Sequence, residues 1–329
     1  MNATGARAER RNGGRQAQPG RICPLSYRYS PHVFQRDPEI VAETLYVIGG
    51  LYGNVESLAR IVEMAAAEPD PVTLVFNGDF HWFDVAAADF LAIERGVRGH
   101  WALRGNVETE IASNDFAAGC GCAYPLDVSD AVVSRSNDIL QRLRATAVAA
   151  GIDRPALAAL PMHLVARVGE LRIGIVHGDA ASLAGWGFAH DRLDDPSHGR
   201  WIESVFRGAC VDAFASTHTC LPAFRHYRHG HGEGVVANNG AAGMPNFAGD
   251  PSGLVTRIAR KPSPHRLFGL ELRGTHLEAL PVRFDAERWI RRFLSAWPSG
   301  SPAHDSYYER IVSGPRFEVP QAAPRRIAI

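Results

Sequence analysis

The segment LVFNGDFHWFD, residues 74–84, decides the fold class, because it places Gly78-Asp79 directly after an apolar run typical of a buried strand. Three other segments have an apolar run followed by a polar side chain, and they end in Gly105-Asn106, His177-Gly178-Asp179 and Thr217-His218-Thr219-Cys220. A carboxylate, an amide oxygen and two imidazoles at successive strand ends are the ligands that a borderline divalent metal needs. The sequence therefore predicts a metal site at the ends of several strands.

Outside these segments, strand and helix patterns alternate, which predicts an α/β fold. The predicted strands are 45–48, 72–76, 100–103, 163–168, 171–176, 213–216, 234–238, 255–260, 267–272 and 277–284. The predicted helices are 55–67, 84–95, 127–150, 155–160, 201–209 and 286–296. A hairpin turn is predicted at Gly169-Glu170.

Five segments resemble, in order, the sequence blocks of the calcineurin-like metallophosphoesterases, which carry D-x-H, G-D, G-N-H-(D/E), a His after a strand, and G-H-x-H. The matching segments are LYVIGGLYGNVESLARIV (45–62), LVFNGDFHWFD (74–84), ALRGNVE (102–108), IGIVHGD (173–179) and FASTHTCLPAF (214–224). VVANNGAAGMP (235–245) is similar to the strand and loop that often follow. Each block alone is a weak signal, but five in order are specific. The resemblance spans roughly residues 43–285. It implies two packed mixed β-sheets flanked by helices, an α/β fold of the α+β type.

The departures from the family pattern concentrate on one of its two metals. Gly50 and Tyr52 stand where the family has the Asp and His of D-x-H, and Cys220 replaces the last His of G-H-x-H. In the family these positions hold the first metal, so the resemblance implies a degraded first site. Val107 also replaces the catalytic His after G-N, whereas the acidic residue behind it remains as Glu108.

The four ligands that the resemblance assigns to the second metal are all present. Asp79 supplies an anionic oxygen, Asn106 a neutral oxygen, and His177 and His218 imidazole nitrogens. One carboxylate with two imidazoles is a set used for Mn, Fe or Zn, with room for water and a phosphate oxygen. Taken singly, each is an ordinary loop residue, so the prediction depends on the ordered set. We expect one divalent metal ion, Mn, Fe or Zn.

A single metal leaves phosphate charge and the leaving group to other side chains. Arg104 and Arg225 are candidates for neutralising phosphate charge, although both are equally consistent with solvated surface charges. His81 is a candidate general acid because Val107 cannot transfer a proton, although a lone loop histidine is more often simply exposed. Arg104 and His81 are thus the predicted catalytic side chains.

The candidate substrate-binding residues are Tyr52, Asn54, Trp82 and Arg225. We expect Tyr52 to point at the altered first-metal position, where its phenol binds phosphate, stacks on a base or fills the space with apolar area. Cys220 can ligate a soft metal, act as a nucleophile or remain an inert buried thiol, and the inert thiol is favoured. No second metal is predicted.

Two further segments lie near the blocks in sequence. Residues 182–190, SLAGWGFAH, combine glycines with aromatics and predict a lid or substrate wall. Cys120-Gly121-Cys122 is a C-x-C pair, for which a structural role is favoured over a vicinal redox pair.

Composition limits the partners. The 35 Lys and Arg balance the 35 Asp and Glu, so no basic field indicates nucleic-acid binding. Five Cys in 329 residues do not form a disulfide framework, which favours a cytoplasmic location. No apolar run has the length of a membrane span.

We expect a disordered tail (1–20), an irregular N-terminal arm (21–40), a metallophosphoesterase-like domain (41–299) and a C-terminal extension (300–329). The sequence does not determine the oligomeric state.

Two functions are consistent with these features. The first is hydrolysis of a small phosphate ester, by a phosphomonoesterase or small phosphodiesterase, through a water bound to a single metal. The second is a non-catalytic or repurposed protein that binds a phosphorylated ligand. The intact ligand set favours the enzyme, and the loss of the first metal and of the catalytic His favours the binder.

Overall fold

Two packed β-sheets form the centre of the computed structural model, which describes residues 18–230 and 232–329. The strands are β1 Ile40–Ala42, β2 Thr44–Ile48, β3 Val72–Asn77, β4 Trp101–Leu103, β5 His163–Val168, β6 Leu171–Val176, β7 Ala213–Ser216, β8 Ala223–His229, β9 Gly232–Asn238, β10 Gly253–Ala259, β11 Phe268–Leu272, β12 Thr275–Val282 and β13 Arg325–Ala328. The helices are α1 Val55–Ala66, α2 Ala87–Val97, α3 Asn106–Ala112, α4 Asp130–Ala149, α5 Arg154–Ala159, α6 His190–Leu193, α7 Gly199–Ala209, α8 Ala286–Ala296, α9 Pro302–Ser313 and α10 Val319–Ala322.

Both sheets are mixed. One has seven strands in the order β1-β5-β6-β7-β9-β8-β13, and the other has six in the order β11-β12-β10-β2-β3-β4. Strands β2, β3 and β4 run parallel, as do β6, β7 and β9, whereas β10 and β12 are antiparallel to their neighbours. The predicted fold, two mixed sheets flanked by helices, is confirmed. In the described part of the chain, no helix is long and apolar enough to cross a bilayer.

Strand β2 shows how the core is divided, because its side chains alternate between two buried layers. Leu45 and Val47 pack between the sheets, together with Ile173 of β6 and Ala215 of β7. Tyr46 and Ile48 face the other way, into a layer that α1, α2, α4, α8 and α9 cover. The strand is therefore apolar throughout, as expected for a strand that is buried on both faces.

The predicted hairpin is confirmed, since β5 and β6 have the predicted bounds and pair antiparallel. Strand β8 was not predicted, because Arg225, His226, Arg228 and His229 interrupt its apolar pattern. The structure buries Arg225 in this strand by pairing its guanidinium with Asp194. The buried arginine, whose charge is balanced by the exposed Asp194, therefore keeps the strand from being recognised as an apolar run.

The chain ends of the described part pack on the sheets. Tyr27 and Phe34, from the predicted arm, are buried, and the Tyr27 hydroxyl donates to Glu110 (2.6 Å). In the predicted C-terminal extension, α9 packs against α4, and β13 pairs in parallel with β8. The predicted disordered tail lies outside the described residues except for residues 18–20. The domain limits given above remain predictions.

Candidate functional site

Four strand ends bring the predicted ligands together where the two sheets meet. Asp79 follows β3, and Asn106 begins α3 after β4 in the six-stranded sheet. His177 follows β6, and His218 follows β7 in the seven-stranded sheet. The carboxyl ends of parallel neighbours lie at one edge of a sheet, so each pair of side chains lies close together, and the packed sheets place the two pairs opposite each other.

The donor atoms converge on the Nε2 atom of His177. This nitrogen lies 3.1 Å from Asn106 Oδ1, 3.1 Å from His218 Nδ1 and 3.3 Å from Asp79 Oδ2. The ligand atoms of Asp79, His177 and His218 all lie within 4.8 Å of one another, and the three residues are buried.

These separations fit a shared metal ion. Ligands held about 2.1 Å from a metal lie about 3.0 Å apart at right angles and about 3.4 Å apart at tetrahedral angles. The three measured distances of 3.1–3.3 Å lie between these values. The donor set, one carboxylate, one amide oxygen and two imidazoles, also suits Mn, Fe or Zn. The site therefore fits the predicted metal in both geometry and chemistry, while the role of each residue as a ligand stays a prediction.

Hydrogen bonds orient the donor atoms. His177 Nδ1–H donates to the Asn77 carbonyl (3.0 Å), and His218 Nε2–H donates to the Cys122 carbonyl (3.2 Å). Because a carbonyl only accepts, in the neutral form of each imidazole these bonds leave Nε2 of His177 and Nδ1 of His218 without a proton and facing the centre. The Asn106 amide donates from Nδ2 to the Cys120 carbonyl (2.9 Å), which turns Oδ1 to the same side.

The two histidines differ in their electrostatic surroundings. Burial, with the neighbouring His177 adding to it, lowers the pKa of His218 to about 3. Burial alone would also lower the pKa of His177, but the Asp79 carboxylate outweighs it and raises that pKa. At neutral pH, His218 is therefore a neutral imidazole, the form that binds metals.

Glu108 fixes the loop that carries Asp79. Its carboxylate accepts hydrogen bonds from the backbone N–H groups of Asp79 (2.8 Å), Phe80 (3.1 Å), His81 (3.3 Å) and Gly105 (2.8 Å). Burial and the nearby Asp79 carboxylate raise the pKa of Glu108 to about 7. Glu108 thus ties the loop after β3 to the loop after β4.

Strained backbone is concentrated at this site. Asp79, His218, Tyr52 and Cys220 have positive φ values of 49°, 55°, 55° and 63°. Such conformations are costly for residues other than glycine and cluster at functional sites. Close packing adds a second constraint, because a Cβ on Gly105 would lie 2.2 Å from Asp79 Oδ1. The surrounding fold therefore holds these side chains in a defined arrangement.

A cavity of about 40 Å³ lies beside the donor atoms. Asp79, Asn106 and His218 line it on the metal side, and its other walls are mostly aromatic, formed by Tyr52, Trp82, Tyr124, Trp186 and Tyr307. Val107, Cys122 and Cys220 complete the lining, so in the part of the chain that the structure describes no Arg or Lys lines the cavity. The site is thus an apolar cleft with one concentrated group of candidate metal-binding donors.

Tyr52 and Cys220, two of the predicted altered first-metal residues, contact each other. The Tyr52 hydroxyl lies 3.0 Å from Cys220 Sγ, and Tyr52 is buried. A Cβ on residue 50 would lie 2.9 Å from the Tyr52 ring, so Gly50 is needed for the ring to occupy this place. Burial raises the pKa of both the phenol and the thiol, which keeps both groups protonated at neutral pH.

Asp179 shapes the predicted lid. Its carboxylate accepts from the N–H groups of Ala181 (2.9 Å), Ser182 (3.0 Å) and Gly187 (2.9 Å), which folds the segment back on itself. Trp186, inside that segment, lines the cavity and lies with its ring 5.4 Å from that of His218. The segment is therefore a wall of the cavity, and its motion as a lid stays a prediction.

His81 does not reach the cavity, which corrects its prediction as the general acid. It is fully buried between Asp84 (Nδ1–Oδ2 2.5 Å) and Glu94 (Nε2–Oε1 3.0 Å), with its ring stacked on Phe90. Burial alone would lower the pKa of His81, but Asp84 and Glu94 raise it to about 10. Two carboxylates thus hold this imidazole in its charged form inside the core.

Three other predicted site residues also lie away from the cavity. Arg104 turns its guanidinium to the Ala158 carbonyl. Arg225 is fully buried in a double contact with Asp194 (2.5 and 2.8 Å). Asn54 is buried at the N-terminus of α1, where its Oδ1 accepts from Glu56 and Ser57. All three have structural partners, so their assignments to catalysis or substrate binding are corrected.

Sequence reasoning missed two walls of the cavity. Tyr307 comes from α9, in the predicted C-terminal extension, where no motif indicates a site. Tyr124 and Cys122 come from the loop between α3 and α4. The only sequence signal for that loop is the C-x-C pair, and the structure joins Cys120 to Cys122 in a disulfide.

Comparison with known proteins relates this fold to solved structures. No family model matches the sequence, and no curated protein matches it. The structure is similar to that of a hypothetical protein from Pyrococcus horikoshii OT3, with 16% identity, a TM-score of 0.57, and 84% of this chain and 100% of that chain covered. It is also similar to a metallophosphoesterase from Sphaerobacter thermophilus, with 15% identity, a TM-score of 0.52, and 83% and 100% covered. At these identities the similarity shows the fold.

Proposed function

We propose that this chain, which has the fold of the calcineurin-like metallophosphoesterases, hydrolyses a small phosphate ester with one divalent metal ion. The observation that carries the proposal is the convergence of Asp79, Asn106 and His218 on the Nε2 atom of His177, beside a cavity. When bound, Mn, Fe or Zn would act as a Lewis acid toward a phosphate oxygen and lower the pKa of water.

The residues around the donors support this function in distinct ways. Tyr52 stays protonated, so its hydroxyl can donate a hydrogen bond to a phosphate oxygen. Trp82 and Trp186 exclude water from the cavity wall, which strengthens electrostatic interactions at the donors. Glu108 and the hydrogen bonds of the ligand side chains hold the donors in place without substrate.

A second function, binding of a phosphorylated ligand without hydrolysis, is favoured by the lack of a proton donor. Val107 stands at the family's catalytic His position, and His81 is enclosed by carboxylates elsewhere. Apart from the predicted ligands, the described residues that line the cavity offer only Tyr and Cys side chains for proton transfer. If metal-loaded protein binds a phosphate ester tightly but does not hydrolyse it, ligand binding without hydrolysis is the better account of the function.

The same lack of a proton donor predicts which esters react. We expect hydrolysis of aryl phosphates to be abolished by chelation and restored by Mn, Fe or Zn. We also expect the rate to fall steeply as the leaving-group pKa rises, because no side chain at position 107 protonates the departing oxygen. The measurement is kcat/KM across a series of aryl phosphates with graded leaving groups. A rate independent of the leaving group would show that a general acid exists after all.

The altered first site predicts the metal content. Gly50, Tyr52 and Cys220 do not supply the ligands of a first metal, and Tyr52 fills its place. We therefore expect one tightly bound metal ion per chain, measured by elemental analysis after dialysis against metal-free buffer. Two tightly bound ions per chain would contradict this expectation.

A further inference from the structure

The Cys120-Gly121-Cys122 loop contacts two of the predicted metal ligands. Its two cysteine carbonyls accept from Asn106 Nδ2 (2.9 Å) and from His218 Nε2–H (3.2 Å). These bonds decide that Asn106 presents Oδ1 and that His218 presents Nδ1 to the metal position. The loop therefore controls the orientation of half of the ligand set.

The same loop also holds a wall of the cavity. Trp186 Nε1 donates to the Cys122 carbonyl (3.0 Å), which thus accepts from both Trp186 and His218. Cys122 lines the cavity, whereas Cys120 is fully buried. Of this pair, Cys122 is therefore the residue that lines the cavity.

The backbone of the loop follows an unusual path. Gly119, Gly121 and Ala123 have positive φ values of 62°, 67° and 50°. The disulfide between Cys120 and Cys122 closes this path into a small ring. The ring contains the Cys120 carbonyl that orients Asn106, and it also holds the Cα of Cys122, to which the carbonyl that orients His218 is attached.

We propose that Cys120 and Cys122 form a reversible thiol–disulfide pair whose oxidation state sets the affinity of the adjacent metal site. The disulfide form is the tight-binding form.

A small dithiol reduces the pair. Its thiolate attacks Cys122 Sγ, the Cys120–Cys122 bond breaks, and Cys120 leaves as a thiolate. The second thiol then attacks the mixed disulfide and releases Cys122. The two cysteines gain two electrons and two protons, and the dithiol becomes a disulfide.

The effect on the metal site follows from the lost constraint. Once the ring opens, the Cys120 carbonyl is free to rotate away from Asn106, and the Cα of Cys122 no longer holds the attached carbonyl in place beside His218. Loss of such an orienting partner typically weakens metal binding about 10- to 100-fold. The inference rests on the proposed metal site, and it extends that proposal by making metal affinity depend on thiol chemistry.

The test uses full-length protein and Mn²⁺ alone, because Mn²⁺ prefers oxygen and imidazole to sulfur ligands. Metal-free protein is treated either with oxidised glutathione or with dithiothreitol, desalted, and titrated with Mn²⁺ by calorimetry. Thiols are counted under denaturing conditions. With five Cys in the sequence and Cys23, Cys210 and Cys220 free, we expect three thiols before reduction and five after it. We expect the Kd for Mn²⁺ to rise about tenfold on reduction and to recover on reoxidation.

Two variants locate the effect. Cys120→Ser/Cys122→Ser should show the weaker affinity under both treatments, and Cys210→Ser, at an exposed position that does not line the cavity, should respond like wild type. Equal affinities in the two forms, with the thiol count showing that the bond opened, would overturn the inference and leave the metal site intact. Tighter binding on reduction would overturn it as well, because a thiolate would then be acting as a ligand. No Mn²⁺ binding in either form would count against the metal site itself.

Discussion

His177→Ala is expected to lower metal affinity by at least about 100-fold and to remove hydrolysis with it. The reason is geometric, because Nε2 of His177 is the atom on which Asp79, Asn106 and His218 converge. The alanine variant keeps only three of the four predicted donor side chains around the metal position. Bound metal is measured by elemental analysis after dialysis, and hydrolysis is measured with an aryl phosphate at saturating Mn²⁺.

Asp79→Asn separates charge from shape at the same site. The amide keeps an oxygen that can accept from Val107 N–H, which lies 3.1 Å from Asp79 Oδ1, but it removes the only anionic ligand. We expect metal affinity to fall while the folded state persists, as monitored by circular dichroism. His32→Ala, at an exposed position that does not line the cavity, is the matched control and should keep full metal content. Full metal content in His177→Ala or Asp79→Asn would show that the ligand assignment is wrong.

His81→Leu is expected to lower the free energy of unfolding by about 3–5 kcal/mol, because it leaves charged groups buried without a partner. The side chain of Asp84 is fully buried and that of Glu94 is largely buried, and His81 bridges them. The measurement is urea denaturation at pH 7. Asp84→Asn in the His81→Leu background should recover part of the loss, since it removes one uncompensated charge.

The pH dependence of stability provides a second measurement on His81. Its folded-state pKa is about 10, above the ordinary value of 6.5, so the folded state holds the proton more tightly than the unfolded state. The resulting stabilisation is complete below pH 6.5 and is lost as pH rises toward 10, by up to about 1.4 kcal/mol per pH unit. His81→Leu should remove this slope, whereas His265→Ala, at an exposed position, should leave it unchanged. A loss below about 1 kcal/mol on mutation, with an unchanged slope, would contradict the pairing of His81.

The sequence could predict the strands and the residues that converge at their ends because both have local signals. A buried strand is a short apolar run, and the residue just after it lies at the sheet edge, so Asp79, Asn106, His177 and His218 are each marked by their own neighbours. The same local reasoning failed for His81 and Arg225. A histidine in a loop or an arginine in a strand has the same sequence context whether it faces a cavity or a carboxylate. Glu94, one of the two partners of His81, and Asp194, the partner of Arg225, lie 13 and 31 residues away.

The amino-acid sequence by itself thus determined most of the strands and which polar residues follow them, since a buried strand is a short-range apolar pattern, whereas the two-sheet arrangement was implied by the resemblance to the calcineurin-like metallophosphoesterases. Only the tertiary structure decided which side chains surround the ligands. Tyr307 reaches the cavity from α9, and the Cys120 and Cys122 carbonyls reach Asn106 and His218 from a loop of irregular backbone. The physical reason is that contacts between distant segments depend on how helices and loops pack over the sheet edge, and no local periodicity records that packing.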